Sequence, residues 1–341
     1  MGDPNATILD TMKRPLRDLR ISVTDRCNFR CTYCMPEEIF HAGYKFLPRD
    51  KILTFEEITR LAALMVQRLG VTKLRLTGGE PLLRQNLERL IAMLASVEGA
   101  QDIALTTNAV RLPEQAQVLA DAGLQRVTVS LDSLDDVVFR KMNGNRAGVE
   151  DVLKGLRAAE EAGLTPIKIN AVIQRGVNEE AIVPLARFCR EHGYVLRFIE
   201  YMDVGTVNGW RLDDVVSARE IVERVHAEFP LEKVERSYAS ETALRFRYQD
   251  GGGEIGLIAS VTMPFCGDCT RLRLSPEGQI YTCLFALHGT DLKAPLRAGA
   301  SDDELFDLIK STWEKRTDAY SEERSSQTQP REKIQMYYIG G

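Results

Sequence analysis

The sequence of 341 residues lacks the features that would place it in a membrane or export it from the cell. No apolar run approaches the roughly 20 residues that a membrane-spanning helix needs. The segment from Met1 to Met12 contains no basic stretch followed by an apolar one, so no secretory signal is expected. We therefore expect a cytoplasmic protein without a membrane partner.

Two further absences restrict how the chain could bind an anionic ligand. A net charge of −5 gives no general attraction to nucleic acid or to anionic lipids. The sequence also has no Gly-x4-Gly-Lys-Ser/Thr loop of the kind that binds nucleoside triphosphates. Any anionic ligand must therefore be held by a local group of Arg and Lys side chains. With 44% hydrophobic and 27% charged residues, the chain has the composition of a globular protein with a sizeable core.

Cysteine is scarce, and its distribution is uneven. Six of the seven cysteines form two tight groups near opposite ends of the chain, whereas Cys189 stands alone. In a reducing compartment such grouping favours metal binding over a disulfide framework. Cys189 lies on the apolar face of a predicted helix, and we interpret it as a core residue. The two groups are Cys27, Cys31 and Cys34, and Cys266, Cys269 and Cys283.

Strand-like and helix-like segments alternate through the first part of the chain. The pattern Thr54-x-x-Glu57 predicts the start of a helix that ends at Gly70. Six strand–helix units predict a parallel sheet covered by helices, either an open partial barrel or a doubly wound sheet. The predicted strands are 19–24, 73–76, 103–107, 126–131, 168–173 and 195–200, and the predicted helices are 54–69, 86–96, 114–122, 149–162, 179–192 and 218–229.

The pattern changes after Trp210, so we predict a domain of residues 1–210 and a second module of residues 211–341. Shorter strands are predicted at 243–248, 254–259 and 271–274. Gly251-Gly-Gly253 and Pro276-Glu-Gly278 are predicted as turns between strands, because neither has the strand-to-helix context of a nucleotide-binding loop. Residues 321–341 are mostly polar and predict a flexible tail.

Each cysteine group offers three thiolates, which are soft ligands suited to iron–sulfur clusters or to zinc. A structural zinc site normally has four ligands, and His41 is the additional donor nearest to the first group. Three cysteines on a 4Fe–4S cluster leave one iron free to bind a substrate. For the second group, a zinc site completed by His288 stays open as an alternative.

Basic residues lie on or beside the predicted strands. Arg271 and Arg273 alternate along one strand and should share a face, where paired guanidinium groups suit a phosphate chain. We expect the basic residues to meet at one opening at the strand ends, although any single one could be a solvated surface charge. The others are Arg20, Arg75, Lys168 and Arg197.

The first cysteine group, Cys27-x3-Cys31-x2-Cys34 with Tyr33 before the last cysteine, resembles the hallmark of the radical S-adenosylmethionine (SAM) superfamily. Thr77-Gly-Gly-Glu-Pro81, one strand–helix unit later, is similar to the Gly-Gly-Glu motif of that superfamily. The resemblance implies that the open iron of the cluster binds SAM and that reductive cleavage of SAM gives a 5′-deoxyadenosyl radical. The SAM contacts that it implies are Tyr33, Gly79, Ser130 and Met202.

This motif together with a second group of three cysteines near the C-terminus resembles the GTP 3′,8-cyclase family, over nearly the whole chain. The resemblance implies an α/β fold, an incomplete (β/α)6 TIM-like barrel whose mouth is closed by a C-terminal α+β module. It also implies a second 4Fe–4S cluster whose open iron binds the guanine of GTP. The implied GTP contacts are Arg20, Arg75, Thr106, Lys168, Arg271, Leu272 and Arg273, and the implied catalytic residues are Arg197, Arg271, Arg273, Gly340 and Gly341.

The family resemblance also implies a reaction and a pathway. GTP would be converted to (8S)-3′,8-cyclo-7,8-dihydroguanosine 5′-triphosphate, the first step of molybdenum cofactor biosynthesis, and a cyclic pyranopterin monophosphate synthase would use the product. A homodimer is expected from the family alone, and no residue identifies the protein that supplies electrons. Two alternatives stay open: a radical SAM enzyme that modifies another substrate, such as a peptide, and a zinc-stabilised binding module without enzymatic activity.

Overall fold

The computed structural model describes residues 7–236, 240–324 and 333–340. Within these residues the centre of the molecule is one twelve-stranded sheet, whose middle is formed by six consecutive parallel strands. Neighbours along the chain are neighbours in this part of the sheet, which is the arrangement that successive strand–helix units produce. The six strands are β1 (Asp18–Ser22), β2 (Lys73–Thr77), β3 (Asp102–Thr107), β4 (Arg126–Ser130), β5 (Lys168–Ile173) and β6 (Val195–Glu200).

Helices cover the outer face of these strands. The first helix shows why such segments are helical: Thr54 and Glu57 form a reciprocal capping box, and Gly70 ends the helix in a left-handed conformation with φ 76°. A cap of this kind stabilises a helix by about 1 kcal/mol, and burial of each large apolar side chain on the inner face adds about 1.5–3 kcal/mol. The helices are α1 (Phe55–Leu69), α2 (Leu87–Ala95), α3 (Leu112–Asp121), α4 (Asp136–Asn143), α5 (Val149–Glu161), α6 (Ile182–His192) and α7 (Ala218–Glu228).

The C-terminal part of the chain adds strands to both edges of the parallel six. Beside β6, the strand β9 (Glu254–Ile258) is parallel, and β8 (Leu244–Tyr248) and β7 (Leu231–Val234) continue antiparallel. Beside β1, the strand β10 (Arg271–Leu274) is parallel, and β11 (Gln279–Tyr281) and β12 (Thr290–Asp291) continue antiparallel. The two predicted turns join β8 to β9 and β10 to β11. The second module therefore shares the sheet of the first domain.

Four further helices follow: α8 (Lys293–Arg297), α9 (Asp302–Glu314), α10 (Tyr320–Glu323) and α11 (Met336–Ile339). In α11, Ile339 is fully buried and Tyr337 is 8% exposed. The ring of Tyr337 packs edge-on against Phe40, with 5.0 Å between the ring centroids. The prediction of a flexible tail is therefore wrong for residues 333–340, because their apolar side chains pack into the protein. Residues 325–332 and 341 lie outside the described residues.

Alternation along the parallel strands separates the core from the barrel interior. In β1, Leu19 and Ile21 are fully buried in the hydrophobic core, whereas Asp18 and Arg20 line an interior cavity. Cys189 is 1% exposed within the same core, as predicted. The predicted fold class is confirmed. None of the helices in the described residues combines the length and the apolar character needed to cross a bilayer.

Candidate active site

The first cysteine group lies beyond the carboxyl end of β1. The loop turns where the N–H of Cys34 donates to the carbonyl of Cys31 at 3.0 Å, and the N–H of Phe29 donates to Sγ of Cys27 at 3.4 Å. Burial raises the pKa of all three thiols, to about 12 for Cys34, so the thiolates need a nearby positive charge such as a metal. Three half-buried thiols, with an N–H donor directed at one sulfur, fit the ligand set of an iron–sulfur cluster.

The Gly78-Gly79 turn follows β2 and packs against the segment that leads into the cysteine loop. The N–H of Gly79 donates to the carbonyl of Thr24 at 2.8 Å, and the N–H of Glu80 donates to the carbonyl of Arg26 at 2.8 Å. A Cβ at Gly79 would lie 2.3 Å from that Arg26 oxygen, so only glycine permits this approach. The motif therefore fixes the cysteine loop to β2, in addition to the SAM contact predicted for it.

The carboxylate of Glu80 connects the same loop to the end of β3. It accepts hydrogen bonds from Oγ1 of Thr107 at 2.7 Å and from the N–H of Asn108 at 2.8 Å. Burial raises the pKa of Glu80 to about 7, although these hydrogen bonds favour its ionised form. The side chain of Asn108 donates to Oδ1 of Asn28 at 2.8 Å. The cysteine loop is thus held from two neighbouring strands.

The other predicted SAM contacts lie near the carboxyl ends of strands. Ser130 is the last residue of β4, and Met202 follows β6. The hydroxyl of Tyr33 donates to Oδ2 of Asp132 at 2.8 Å, and burial raises the pKa of Asp132 to about 6. These residues surround the end of the barrel that carries the first cysteine group. Their roles in SAM binding stay predictions.

A cavity of about 580 Å³ occupies the barrel interior, a volume suited to a small-molecule ligand. Among the described residues that line it, ten are Arg or Lys and five are Asp or Glu. The chain is acidic overall, so this lining is the local cationic group that an anionic ligand requires. The lining includes the predicted site residues Arg20, Arg75, Thr106, Lys168, Arg197, Met202, Arg271, Arg273, Cys266, Cys269 and Cys283.

The strand register brings three arginines into one row of the cavity wall. Arg20 on β1 is level with Arg75 on β2 and with Arg273 on β10. Nε of Arg20 is buried and has no protein partner. Burial, together with the charge of Arg271, lowers the pKa of Arg20 to about 10. Arg75 is paired with Asp102, whereas the positive charge of Arg20, whose Nε has no protein partner, favours an anionic ligand at this row.

The neighbouring cations are held in place by acidic and amide side chains. Nη2 of Arg75 donates to Oδ2 of Asp102 at 2.6 Å, and Arg126 bonds to the same carboxylate. Nε of Arg197 donates to the side-chain oxygen of Asn170 at 2.9 Å. Burial, together with the charge of Arg197, lowers the pKa of Lys168 to about 8. The guanidinium groups of Arg75 and Arg197 are therefore already oriented within the cavity wall.

The strand β10 presents two of its residues to the cavity and two to the core. Arg271 and Arg273 both line the cavity, which confirms the prediction that they share a face. Leu272 is fully buried in the core on the opposite face. Any contact of Leu272 with a ligand in the cavity must therefore come from its main chain.

The second cysteine group lies at the amino end of the parallel strands, opposite to the first. Cys269 precedes β10, whose first residue Arg271 is level with Asp18 at the start of β1. Met202, beyond the carboxyl end of β6, lines the same cavity, so the cavity extends along the barrel. Because β10 runs parallel to β1, the residues that precede β10 lie at the amino end of the parallel strands.

Hydrogen-bond donors are also directed at the sulfurs of the second group. Nε of Arg271 donates to Sγ of Cys269 at 3.3 Å, and the N–H of Phe285 donates to Sγ of Cys283 at 3.4 Å. Burial acts to raise the pKa of Cys269, but the charges of Arg271 and Arg316 outweigh it and lower this pKa to about 6. Burial raises the pKa of Cys283 to about 11. The donor chemistry again fits an iron–sulfur cluster.

Neither cysteine group forms a site for a single metal ion. In the part of the chain that the structure describes, no three His, Cys, Asp or Glu side chains converge on one point in this way. A zinc ion needs its sulfur ligands about 2.3 Å away, so the alternative zinc site with His288 is not formed among these residues. A four-iron cluster instead attaches each cysteine to a different iron. Three cysteines in each group are compatible with that mode of attachment.

The C-terminal tail reaches the row of arginines. Nη1 of Arg273 donates to the carbonyl of Gly340, and lies 3.4 Å from the carbonyl oxygen of Ile339. Gly340 has φ 70°, and a Cβ there would lie 2.0 Å from Oγ1 of Thr77. Both its backbone conformation and its surroundings therefore require glycine. Gly341, which was predicted with it, lies outside the described residues.

The sequence reasoning missed several charged residues of the cavity wall, among them Lys73, Asp102 and Arg126. Lys73 is two residues before Arg75 on β2. Because alternate side chains of a strand share a face, the sequence could have predicted that Lys73 faces the cavity with Arg75. Arg126 stands in the same relation to Thr128, another lining residue, on β4. The bonding of Asp102 to two arginines depends on the register between three strands, which local sequence does not specify.

Two family models match the chain. The model described as "Radical SAM superfamily" matches residues 21–189, and the model described as "Molybdenum Cofactor Synthesis C" matches residues 194–322.

Curated relatives are similar to the chain over nearly its whole length, and several of them carry the name GTP 3′,8-cyclase. The relative from Acidothermus cellulolyticus is 51% identical and covers 98% of this chain and 99% of its own length. The relative from Xanthomonas campestris is 48% identical and covers 98% of both chains. The relative from Staphylococcus saprophyticus is 47% identical and covers 98% of this chain and 99% of its own.

Solved structures resemble the fold at low sequence identity. Native anSMEcpe with bound AdoMet has a TM-score of 0.55 at 14% identity, covering 86% of this chain and 82% of that one. Methylornithine synthase has a TM-score of 0.52 at 14% identity, covering 92% and 86%. These two similarities concern the fold alone.

Proposed function

The chain belongs to the GTP 3′,8-cyclase family of the radical SAM superfamily, and from this premise we propose that it converts GTP to (8S)-3′,8-cyclo-7,8-dihydroguanosine 5′-triphosphate. This reaction is the first step of molybdenum cofactor biosynthesis. The observation that carries the proposal is the identity of 47% to 51% with cyclases over 98% of the chain. The cationic cavity is the independent structural support, because a triphosphate needs such a site.

The superfamily implies one 4Fe–4S cluster and SAM, and we assign this cluster to Cys27, Cys31 and Cys34. When bound, the cluster and SAM supply the 5′-deoxyadenosyl radical that removes the 3′ hydrogen of GTP. The residues that hold the cysteine loop to β2 and β3 keep the cluster at the carboxyl end of the barrel. We assign the SAM contacts to Tyr33, Gly79, Ser130 and Met202.

The triphosphate is assigned to the row of Arg20, Arg75 and Arg273, with further contacts from Lys168, Thr106 and the two neighbours Arg271 and Leu272. Guanidinium groups bind phosphate oxygens in a fixed geometry, and each charge-assisted hydrogen bond contributes about 1.5–3 kcal/mol. Because the row is fixed by the strand register, it would fix the position of the ribose as well. These side chains position the 3′ carbon and need not take part in bond cleavage.

We assign a second 4Fe–4S cluster to Cys266, Cys269 and Cys283, which would bind the guanine end of GTP. The proposal is supported by the position of this group on the wall of the same cavity. The first group lies beyond the opposite end of the parallel strands, so the substrate would lie between the two clusters. Arg197, Gly340 and Gly341 are proposed to assist catalysis, and the contact between Arg273 and Gly340 supports this for the tail.

The direct test is anaerobic reconstitution followed by incubation with SAM, a reductant and GTP. We expect about eight irons per chain, as two four-iron clusters require, and both 5′-deoxyadenosine and the cyclised nucleotide as products. Replacing GTP by ATP should remove the cyclised product. If 5′-deoxyadenosine forms with GTP but no cyclised nucleotide is detected by mass spectrometry, the proposed activity is wrong.

The remaining assignments rest on the family or on the sequence pattern alone. The cyclised triphosphate would be the substrate of a cyclic pyranopterin monophosphate synthase. The homodimer, the cytoplasmic location and the boundary between residues 210 and 211 stay predictions.

A further inference from the structure

Two buried arginines lie behind the second cysteine group. Arg14 is 2% exposed and Arg316 is 4% exposed. Nη1 of Arg14 donates to the carbonyl of Cys266 at 2.7 Å, and Nη1 of Arg316 donates to the carbonyl of Cys269 at 2.6 Å. The main chain at two of the three cysteines is therefore held by guanidinium groups from the N-terminal segment and from the segment after α9.

A buried carboxylate joins the two arginines. Asp10 is 3% exposed, and its Oδ2 lies 2.5 Å from Nε of Arg14 and 3.5 Å from Nη1 of Arg316. Trp313 contacts both arginines: its indole N–H donates to the main-chain carbonyl of Arg14 at 3.1 Å, and the centre of its ring lies 4.7 Å from the guanidinium carbon of Arg316. The orientation of both arginines is thus fixed by packing as well as by charge.

Among the fully buried side chains of this group, positive charge exceeds negative charge, with two arginines against one carboxylate. Its one fully buried carboxylate, Asp10, faces two guanidinium groups, and the second acid, Asp318, is part exposed and 3.4 Å from Nε of Arg316. Nη2 of Arg14 is buried and has no protein partner. Excess buried charge is costly unless an opposite charge lies nearby. A 4Fe–4S cluster held by three thiolates is anionic and would supply that charge.

We propose that Arg14 and Arg316, joined by Asp10, are positioning residues for the second cluster. They hold the main chain of Cys266 and Cys269 and balance the negative charge of the cluster. The inference rests on the proposed second cluster and extends it to two arginines that are not themselves ligands of the cluster. Residues that orient metal ligands typically change metal affinity by about 10- to 100-fold when they are replaced.

The test uses a variant in which Cys27, Cys31 and Cys34 are replaced by Ala, so that all bound iron reports on the second group. In this background, Arg316→Gln should speed the loss of iron to a chelator by about 10-fold or more. The midpoint potential of the cluster should become more negative, because a positive charge that favours the reduced state has been removed. Arg316→Lys retains the charge but not the planar donor geometry. Its midpoint potential should therefore return further toward the value of the parent variant than its rate of iron loss does.

Two controls separate positioning from general loss of structure. With Cys266, Cys269 and Cys283 replaced by Ala instead, Arg316→Gln should leave iron loss from the first group unchanged. Arg60→Gln is the matched control, because Arg60 also bonds a carboxylate, Asp302 at 2.7 Å, and a carbonyl, Ala300 at 2.8 Å, where α1 meets the start of α9.

The outcomes distinguish the inference from the function on which it rests. Unchanged iron loss and potential in Arg316→Gln, or equal iron loss in both backgrounds, would overturn the positioning role alone. If the parent variant that retains only the second group binds no iron, the second cluster is wrong and the inference is overturned with it.

Discussion

Arg20, Arg75 and Arg273 form one row because β10, β1 and β2 are parallel and in register. Like charges in a row repel one another, so this arrangement opposes folding unless an anion occupies it. The sequence predicted that each arginine lies on a strand, because polar residues alternate with buried apolar ones. It could not predict the row itself, since the register between distant strands is set by tertiary packing.

Lys168, which we assign to the triphosphate, should make GTP binding depend on pH. Burial and the charge of Arg197 lower its pKa to about 8, and the triphosphate favours its protonated form. GTP affinity should therefore be greatest below pH 8 and should weaken as the pH rises through about 8. Calorimetric titration with GTP across this range measures the effect. Lys168→Arg should retain its affinity for GTP, and that affinity should no longer change as the pH passes through about 8. If the change persists in this variant, Lys168 is not its source.

At the scale of elements, strong local signals predicted the parallel strands and most of the helices that cover them. The bounds of β5, β6 and β10 match the prediction, and α1 begins and ends at its predicted caps. The helix α9 was missed although Ser301 and Glu304 form a capping box at its start. The strand β12 has only two residues, Thr290 and Asp291, and gives no period to detect. Short edge strands depend on their neighbours more than on their own residues.

The tail helix α11 brings Gly340 against β2, and this contact should matter for catalysis. Gly340→Ala would place a Cβ 2.0 Å from Oγ1 of Thr77, so the tail must shift. We expect product formation to fall by about 10-fold or more, because small displacements of positioning groups cost that much. Iron content should stay unchanged, and initial rates of cyclisation measure the loss.

Gly163→Ala is the matched control for the tail. Gly163 has φ 72°, close to that of Gly340, but a Cβ there would meet nothing within 4 Å. It should lose about 1 kcal/mol of stability from the strained backbone alone and retain full activity. Equal activity of the two variants would show that the tail contact plays no part in catalysis.

At the scale of the whole molecule, the two cysteine groups lie at opposite ends of the barrel strands. The sequence identified both groups from their spacing, but it did not predict their separation. The pairing of β10 with β1 joins the C-terminal part of the chain to its start, and no local pattern specifies such a contact. The same pairing places Arg271 and Arg273 between the second cysteine group and the centre of the cavity wall.

Because the two cysteine groups are separate, we predict that replacing a cysteine of each group affects SAM cleavage and cyclisation differently. Cys27→Ala should abolish SAM cleavage, because we assign to the first group the cluster that reacts with SAM. Cys283→Ala should retain some SAM cleavage and lose cyclisation, because the radical can still form without a correctly bound substrate. Assays of 5′-deoxyadenosine and cyclised nucleotide on the same samples separate the two effects. Equal loss of both products in both variants would contradict distinct roles.

The most direct test of the proposed activity follows the hydrogen that the radical removes. The reconstituted protein would be incubated with SAM, a reductant and GTP deuterated at C3′, and the products would be analysed by mass spectrometry. We predict that deuterium appears in 5′-deoxyadenosine and is missing from C3′ of the cyclised nucleotide. Unlabelled 5′-deoxyadenosine, formed while the nucleotide retains its deuterium, would contradict abstraction at C3′ and with it the proposed cyclisation.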